Sequence, residues 1–182
     1  MPKKPNLQND RRSRKDLEAF LLGLITQGLK TPYDFMISAG ISPGASIPAL
    51  TRLEDGGYIR KGDEGPRNRT EYIITANGER FLSNSCREMF KLPPTSDRDL
   101  ETVLRISALA LMLGQPQSSV ATYLKTAAQL RRASASTARP TNPKRKDLSE
   151  TFSWMRMMAR SERMRQEAAL LQKLATSVKR MK

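Results

Sequence analysis

Between Thr31 and Thr75 the chain reads TPYDFMISAGISPGASIPALTRLEDGGYIRKGDEGPRNRTEYIIT, a run in which start and stop signals follow one another too closely to suit many folds. Thr31-Pro32 sets a capping residue before a proline at the first helical position, and Gly40 supplies the stop, so a short helix is expected between them. Ser42-Pro43 repeats the start signal at once. Ile47, Leu50 and Leu53 line one face of the segment that follows, and Asp55-Gly56-Gly57 ends it. YIRK (Tyr58 to Lys61) and TEYIIT (Thr70 to Thr75) then read as strands, and the turn-rich GDEGPRNR between them makes a hairpin with a basic tip.

The flanks complete the pattern. From Asp16, read as an N-cap, the apolar residues Leu17, Phe20, Leu21, Leu24 and Ile25 keep helical spacing up to Gly28, while residues 1–15 read as a flexible basic arm. Thr75 caps a further helix through about Lys91. Three helices, two strands and a helix over residues 16–91 is the winged helix-turn-helix order. Leu92 to Asp97 (LPPTSD) breaks the chain, and residues 97–182 read as a second, helical domain. Its first helix carries Leu100, Val103, Leu104, Ala108 and Leu111 on one side and Ile106, Leu109 and Leu113 on the other, which implies burial on more than one face. A helix from about Ser118 to Arg132 follows, then a solvated basic stretch from Arg131 to Lys146, with the linker proper at 133–146. Asp147 opens a last helix toward Met181, with Leu148, Phe152 and Met155 in one stripe and Met164, Ala168, Leu171, Ala175 and Val178 in another. That much apolar surface predicts dimerisation. The expected fold is therefore mainly α with a small two-stranded β wing, an N-terminal winged helix-turn-helix followed by an α-helical dimerisation and effector domain.

Charge points to the partner. Lys and Arg outnumber Asp and Glu by 32 to 18 in 182 residues, and the net charge of +14 favours polyanions, nucleic acid before membrane surface. No histidine is present and Cys86 is the lone cysteine, which removes serine–histidine and cysteine–histidine catalysis, histidine-bound zinc and any disulfide within the chain. No phosphate-binding glycine loop or other catalytic signature is found, so neither enzyme nor cofactor nor metal is expected. The basic RRSRKD before LEAFLLGLI imitates a secretory signal, but Glu18 interrupts the apolar run and its spacing is amphipathic. A chain without membrane contact, in the cytoplasm and on the nucleoid, is expected.

In such a domain the third helix projects into the DNA major groove while the second rests across it. With Ile47, Leu50 and Leu53 inward, Ala45, Pro48, Thr51 and Arg52 face the DNA, and Ser46 stands at the boundary. Arg52 is the long donor of that set, suited to a guanine edge or a phosphate. Free N–H groups at the helix starts, Thr31 and Ser42, are suited to phosphate oxygens. At the hairpin tip Arg67, Asn68 and Arg69 add phosphate or minor-groove contacts.

TPYDFM, SPGASIPALTRLEDGGYI and GPRNRTEYIITANGERFL together resemble the PadR family of bacterial transcriptional regulators, whose segments read roughly HGYEL, SPGTLYPALxRLExxGLI and GRPRxYYxLTxxGxxxL. The resemblance spans about Leu17 to Leu82. It implies a dimeric DNA-binding repressor with a C-terminal helical dimerisation domain, often answering to a small aromatic or hydrophobic effector. Tyr33 then stands at the family's second-helix tyrosine, Ser42, Pro43 and Gly44 at the start of its recognition helix, and Arg67 and Arg69 at its wing. Two departures stand out: Ser46-Ile47 replaces the family's apolar-then-tyrosine pair, and Thr31-Pro32 replaces its leading histidine.

FSWMRMM, Phe152 to Met158, sets the sole tryptophan among adaptable methionines, a composition suited to an effector pocket at a dimer interface. Phe152, Trp154, Met155 and Met158 are the candidate contacts, against a plainer reading as dimer core. The function expected is a sequence-specific regulator, a repressor, binding a pseudo-palindromic operator as a homodimer. Two other readings stay open: an architectural or replication-related winged helix with little sequence preference, and a winged helix that grips an acidic protein.

Overall fold

The stretch from Leu7 to Thr26 contains no proline and is rich in leucine, arginine and lysine, all good helix formers. In the computed structural model it forms α1 (Leu7–Thr26), well upstream of the expected start at Asp16. Asp16 is buried inside the helix, away from its start. The structure describes residues 7–65, 69–91, 93–94, 99–137 and 148–181, so the remainder of the expected flexible arm, residues 1–6, lies outside the described residues.

The next two helices start and stop where the local chemistry dictates. Thr31 and Asp34 form a reciprocal capping box at the head of α2 (Pro32–Ala39), and Gly40 ends it at φ 64°, a left-handed conformation that glycine enters without a Cβ penalty. That turn lets α3 (Pro43–Asp55) begin three residues later. Strands β1 (Ile59–Gly65) and β2 (Arg69–Ile74) pair antiparallel from Ile59 opposite Ile74 to Gly65 opposite Arg69, with one irregularity between Lys61 and Glu64. The Tyr72 N–H also donates to the Lys30 carbonyl at 3.0 Å, which ties the hairpin to the loop before α2. Thr75 caps α4 (Ala76–Lys91): its hydroxyl donates to the Gly57 carbonyl at 2.7 Å and accepts from the Gly78 N–H at 3.1 Å. Helices α5 (Leu100–Met112), α6 (Gln117–Thr137) and α7 (Leu148–Val178) follow. The expected class, mainly α with a two-stranded wing, is the one observed.

The chain divides into two compact units. One comprises α1 to α4 with residues Leu104–Leu113, most of α5; the other takes the start of α5 with α6 and α7. Leu109 packs on α1 so closely that a Cβ on Gly23 would sit 2.8 Å from it. The first unit's core is Leu21, Leu22 and Ile25 of α1, Phe35, Ile41, then Ala49, Leu50 and Leu53 of α3, Ile59 of β1 and Leu82, Cys86 and Met89 of α4.

In the second unit α6 and α7 run antiparallel. Gln117 near the start of α6 donates to the Met181 carbonyl at 3.0 Å, and the Ser161 hydroxyl donates to the Ala135 carbonyl at 3.0 Å. Alanines are frequent among the buried residues of the two helices, Ala121, Ala127, Ala128 and Ala135 on α6 and Ala168 and Ala175 on α7, beside larger Leu124 and Leu171. Arg131, placed in a solvated linker by its charged surroundings, is instead 1% exposed in α6 and bonded through Nε to Glu167 at 2.7 Å. The helix persists to Thr137, so 133–137 are helical too, and the rest of the expected linker lies outside the described residues. Between Leu148 and Arg160, α7 buries no side chain.

Candidate nucleic-acid interface

Helix α3 inherits its two faces from a 3.6-residue repeat. Ser46, Ala49, Leu50 and Leu53 are buried and fall within an arc of about 100°. Gly44, Ala45, Ile47, Pro48, Thr51 and Arg52 are exposed and share an opposite arc of about 160°. The expected assignment is therefore corrected at two neighbours. Ile47, taken as core, is 52% exposed, and Ser46, taken as a DNA contact, is 0% exposed. Ala49 is the reason: as the small buried member next to Leu50 it turns the inward arc away from Ile47 and onto Ser46. The family pattern carries its apolar residue at position 46, and that was the available signal.

Ser46 holds its hydroxyl in this core without a hydrogen-bond partner. A buried unsatisfied hydroxyl costs about 1–3 kcal/mol. Ser46→Ala is expected to stabilise the protein by about 1 kcal/mol and to raise the melting temperature by about 2–4 °C, read by circular dichroism. A lowered melting temperature would mean that the hydroxyl is satisfied after all.

The two helix starts differ as anion sites. At α2 the Asp34 carboxylate accepts from the N–H groups of Thr31 at 2.9 Å and Lys30 at 3.2 Å, and from the Thr31 hydroxyl at 2.8 Å. Thr31 is 7% exposed, and the Asp34 carboxylate stands where its expected phosphate contact would lie. At α3 no acidic residue stands in the first turn, and the Ser42 side chain makes no cap bond. Its positive end faces solvent beside exposed Gly44, the arrangement that suits a phosphate oxygen. Tyr33 on α2 is 44% exposed.

Arg52 is not a free donor. Its Nε donates to Glu18 of α1 at 2.6 Å, although the side chain is 43% exposed. Thr51 likewise commits its hydroxyl to the Ile47 carbonyl at 3.2 Å. On the wing, Lys61 pairs with Glu54 and Lys30 with Glu71, each at 3.3 Å, while Arg60 is exposed. Arg67 and Asn68 lie outside the described residues, as does the side chain of Arg69.

The proposed effector residues lie on the exposed first half of α7. Phe152, Trp154, Met155 and Met158 fan over about 160° of α7. A cleft of about 590 Å³ runs along α7, but Arg156, Met157, Arg160, Arg163 and Met164 line it, none of the four expected residues among them. Three arginines there stand beside two methionines and Ala159, so the cleft is both cationic and apolar. Phe152 is 58% exposed, with the Arg156 guanidinium 5.9 Å from its ring centre.

Burial pushes the Cys86 thiol up, so it stays protonated at neutral pH and is a poor nucleophile. Among the described residues no group of His, Cys, Asp and Glu could hold a metal ion, and no helix is long and apolar enough to cross a membrane.

No protein-family model and no curated protein matches the sequence. Among solved structures the chain is similar to the crystal structure of Bacillus subtilis PadR in complex with operator DNA, at 17% identity and a TM-score of 0.35 over 88% of this chain and 97% of that one. At that distance, what this chain binds is read from its own residues.

Proposed function

We propose that the chain is a PadR-like, sequence-specific DNA-binding regulator, a repressor that binds a pseudo-palindromic operator as a homodimer. The observation that carries this reading is the outward arc of α3. It is solvent-facing, free of acid from Pro43 to Leu53, open at its positive end, and followed by a basic hairpin in a chain of net charge +14. A major groove admits such a helix, and the surrounding charge supplies the salt-dependent attraction to phosphate.

Dimerisation is supported by the stretch of α7 that α6 leaves uncovered. Leu148, Phe152 and Met155 are 85%, 58% and 57% exposed there and lie along one stripe. A second copy covering that stripe would make a two-fold protein, and a two-fold protein reads a two-fold site. A small effector, which rests on the family resemblance alone, would act by favouring another separation of the two reading helices. The site of action is then the nucleoid, in the cytoplasm.

The test is selection of bound sequences from a random duplex pool at about 0.15 M salt, followed by anisotropy titrations. A regulator recovers a two-fold-symmetric site and prefers it by about 10³-fold or more over other duplexes. Binding without enrichment would favour an architectural protein, and no binding at all would favour an acidic protein partner. The Arg67→Ala/Arg69→Ala variant is expected to bind the recovered site more weakly and to flatten the plot of log affinity against log salt by about 2, since each phosphate contact contributes about 0.9. An unchanged slope would remove the wing tip from the interface.

A further inference from the structure

We propose that α3 reads thymine through its C5-methyl group, with Ile47 as the specificity-determining contact, and that hydrogen bonds to base edges contribute little from this helix. The inference rests on the DNA-binding reading above and specifies what that surface recognises.

The composition of the outward face carries it. Gly44, Ala45, Ile47, Pro48 and Thr51 are exposed there, and none has a long polar side chain. Arg52 is the one residue of that arc with the reach to pair with a guanine, and Glu18 holds its Nε at 2.6 Å. The Thr51 hydroxyl is bonded back to the carbonyl of Ile47 itself. A base-reading helix normally offers arginine, lysine, asparagine or glutamine to the groove. This one offers an isoleucine with half its surface in water, flanked by residues small enough to let the backbone approach closely.

The major groove has one apolar feature to match it. Each base pair shows a pattern of donors and acceptors, and only thymine adds a methyl group. A lone exposed isoleucine is ordinary on a protein surface. Here it sits on the arc that a groove would face, next to a helix start open to phosphate, with the one long donor of that arc, Arg52, drawn toward Glu18. Burying a methyl group against it excludes water from both surfaces, and deoxyuridine, which keeps every hydrogen-bonding group of thymidine, loses that term alone.

The experiment uses the full chain and the duplex recovered by selection, resynthesised with deoxyuridine in place of thymidine at one position at a time. Wild type is expected to bind about fourfold more weakly for each methyl group it contacts, at one or more positions of each half-site. Ile47→Ala, a change at an exposed position, is expected to bind the thymidine and deoxyuridine forms of those positions alike, while Ile47→Val keeps most of the discrimination. Equal binding of both forms at every position by wild type would overturn the inference and leave DNA recognition standing. Discrimination undiminished in Ile47→Ala would overturn it as well. Selection that enriches no duplex would overturn the DNA-binding reading and this inference together.

Discussion

Glu167→Ala is expected to destabilise the α6–α7 unit by about 3–5 kcal/mol, the usual consequence of stripping one partner from a buried ion pair. Arg131 is 1% exposed, and its guanidinium cannot shed its proton, so removing the carboxylate bonded to its Nε at 2.7 Å strips a buried charge of that partner. The same helix carries an internal control. Arg165 and Glu162 are paired at 3.1 Å with side chains 59% and 56% exposed, and a pair so open to water is worth about 0–1 kcal/mol. Urea unfolding of Glu167→Ala and Glu162→Ala therefore separates the two by several fold in lost stability. Replacing both buried partners with apolar residues, Arg131→Met with Glu167→Leu, should recover most of the loss. If Glu167→Ala behaves like Glu162→Ala, the buried pair does not hold the two helices together.

Gly78→Ala should lower stability by about 2 kcal/mol, against the direction that helix propensity alone would give. Alanine is favoured over glycine inside a helix by about 1 kcal/mol. At this position, however, a Cβ would run into the carbonyl oxygen of Tyr58 and lie 2.7 Å from Cγ1 of Ile74. Those neighbours are the last residue before β1 and the last residue of β2, so the first turn of α4 is pressed against the root of the wing. The Tyr58 carbonyl belongs to the backbone and cannot rotate aside, and the Thr75 cap fixes the same corner from the other side. Thermal melting of the variant decides the matter: a melting temperature equal to or above wild type would show that the corner yields. Operator affinity should fall with stability, since the hairpin is seated on this corner.

How much of this could be read in the sequence depended on the range of the interactions involved. The limits of α2 and α3 were legible because Thr31-Pro32, Ser42-Pro43 and Gly40 act within one turn of themselves. The wing was legible for the same reason, as was the capping of α4 by Thr75. Local charge misled at both ends of the chain. Residues 7–15 looked like an arm because they are basic, yet arginine, lysine and leucine are good helix formers once a packed helix follows. Arg131 looked solvated among other cations, while its partner Glu167 lies 36 residues away, beyond any local pattern. Ile47 and Ser46 were exchanged because an isoleucine looks like core and a serine like surface. Only the position of Ala49 on the wheel shows that hydropathy and placement part company there. The pairing of Arg52 with Glu18 spans 34 residues and was invisible in the same way.

The irregularity between Lys61 and Glu64 bears on how this hairpin can vary. In a regular ladder, side chains alternate between the two faces with a period of two, so a strand keeps its parity from end to end. Here Lys61 stands opposite Tyr72 and Glu64 opposite Thr70, so β1 spends one residue more than β2 over the same interval. An extra residue of this kind resets the alternation and increases the local twist. Loss of a single codon between Lys61 and Glu64 would remove the extra residue and its added twist, and leave the pairing on either side in place. A lineage could thus change the twist of its wing by a one-residue deletion, with no substitution in α3 at all.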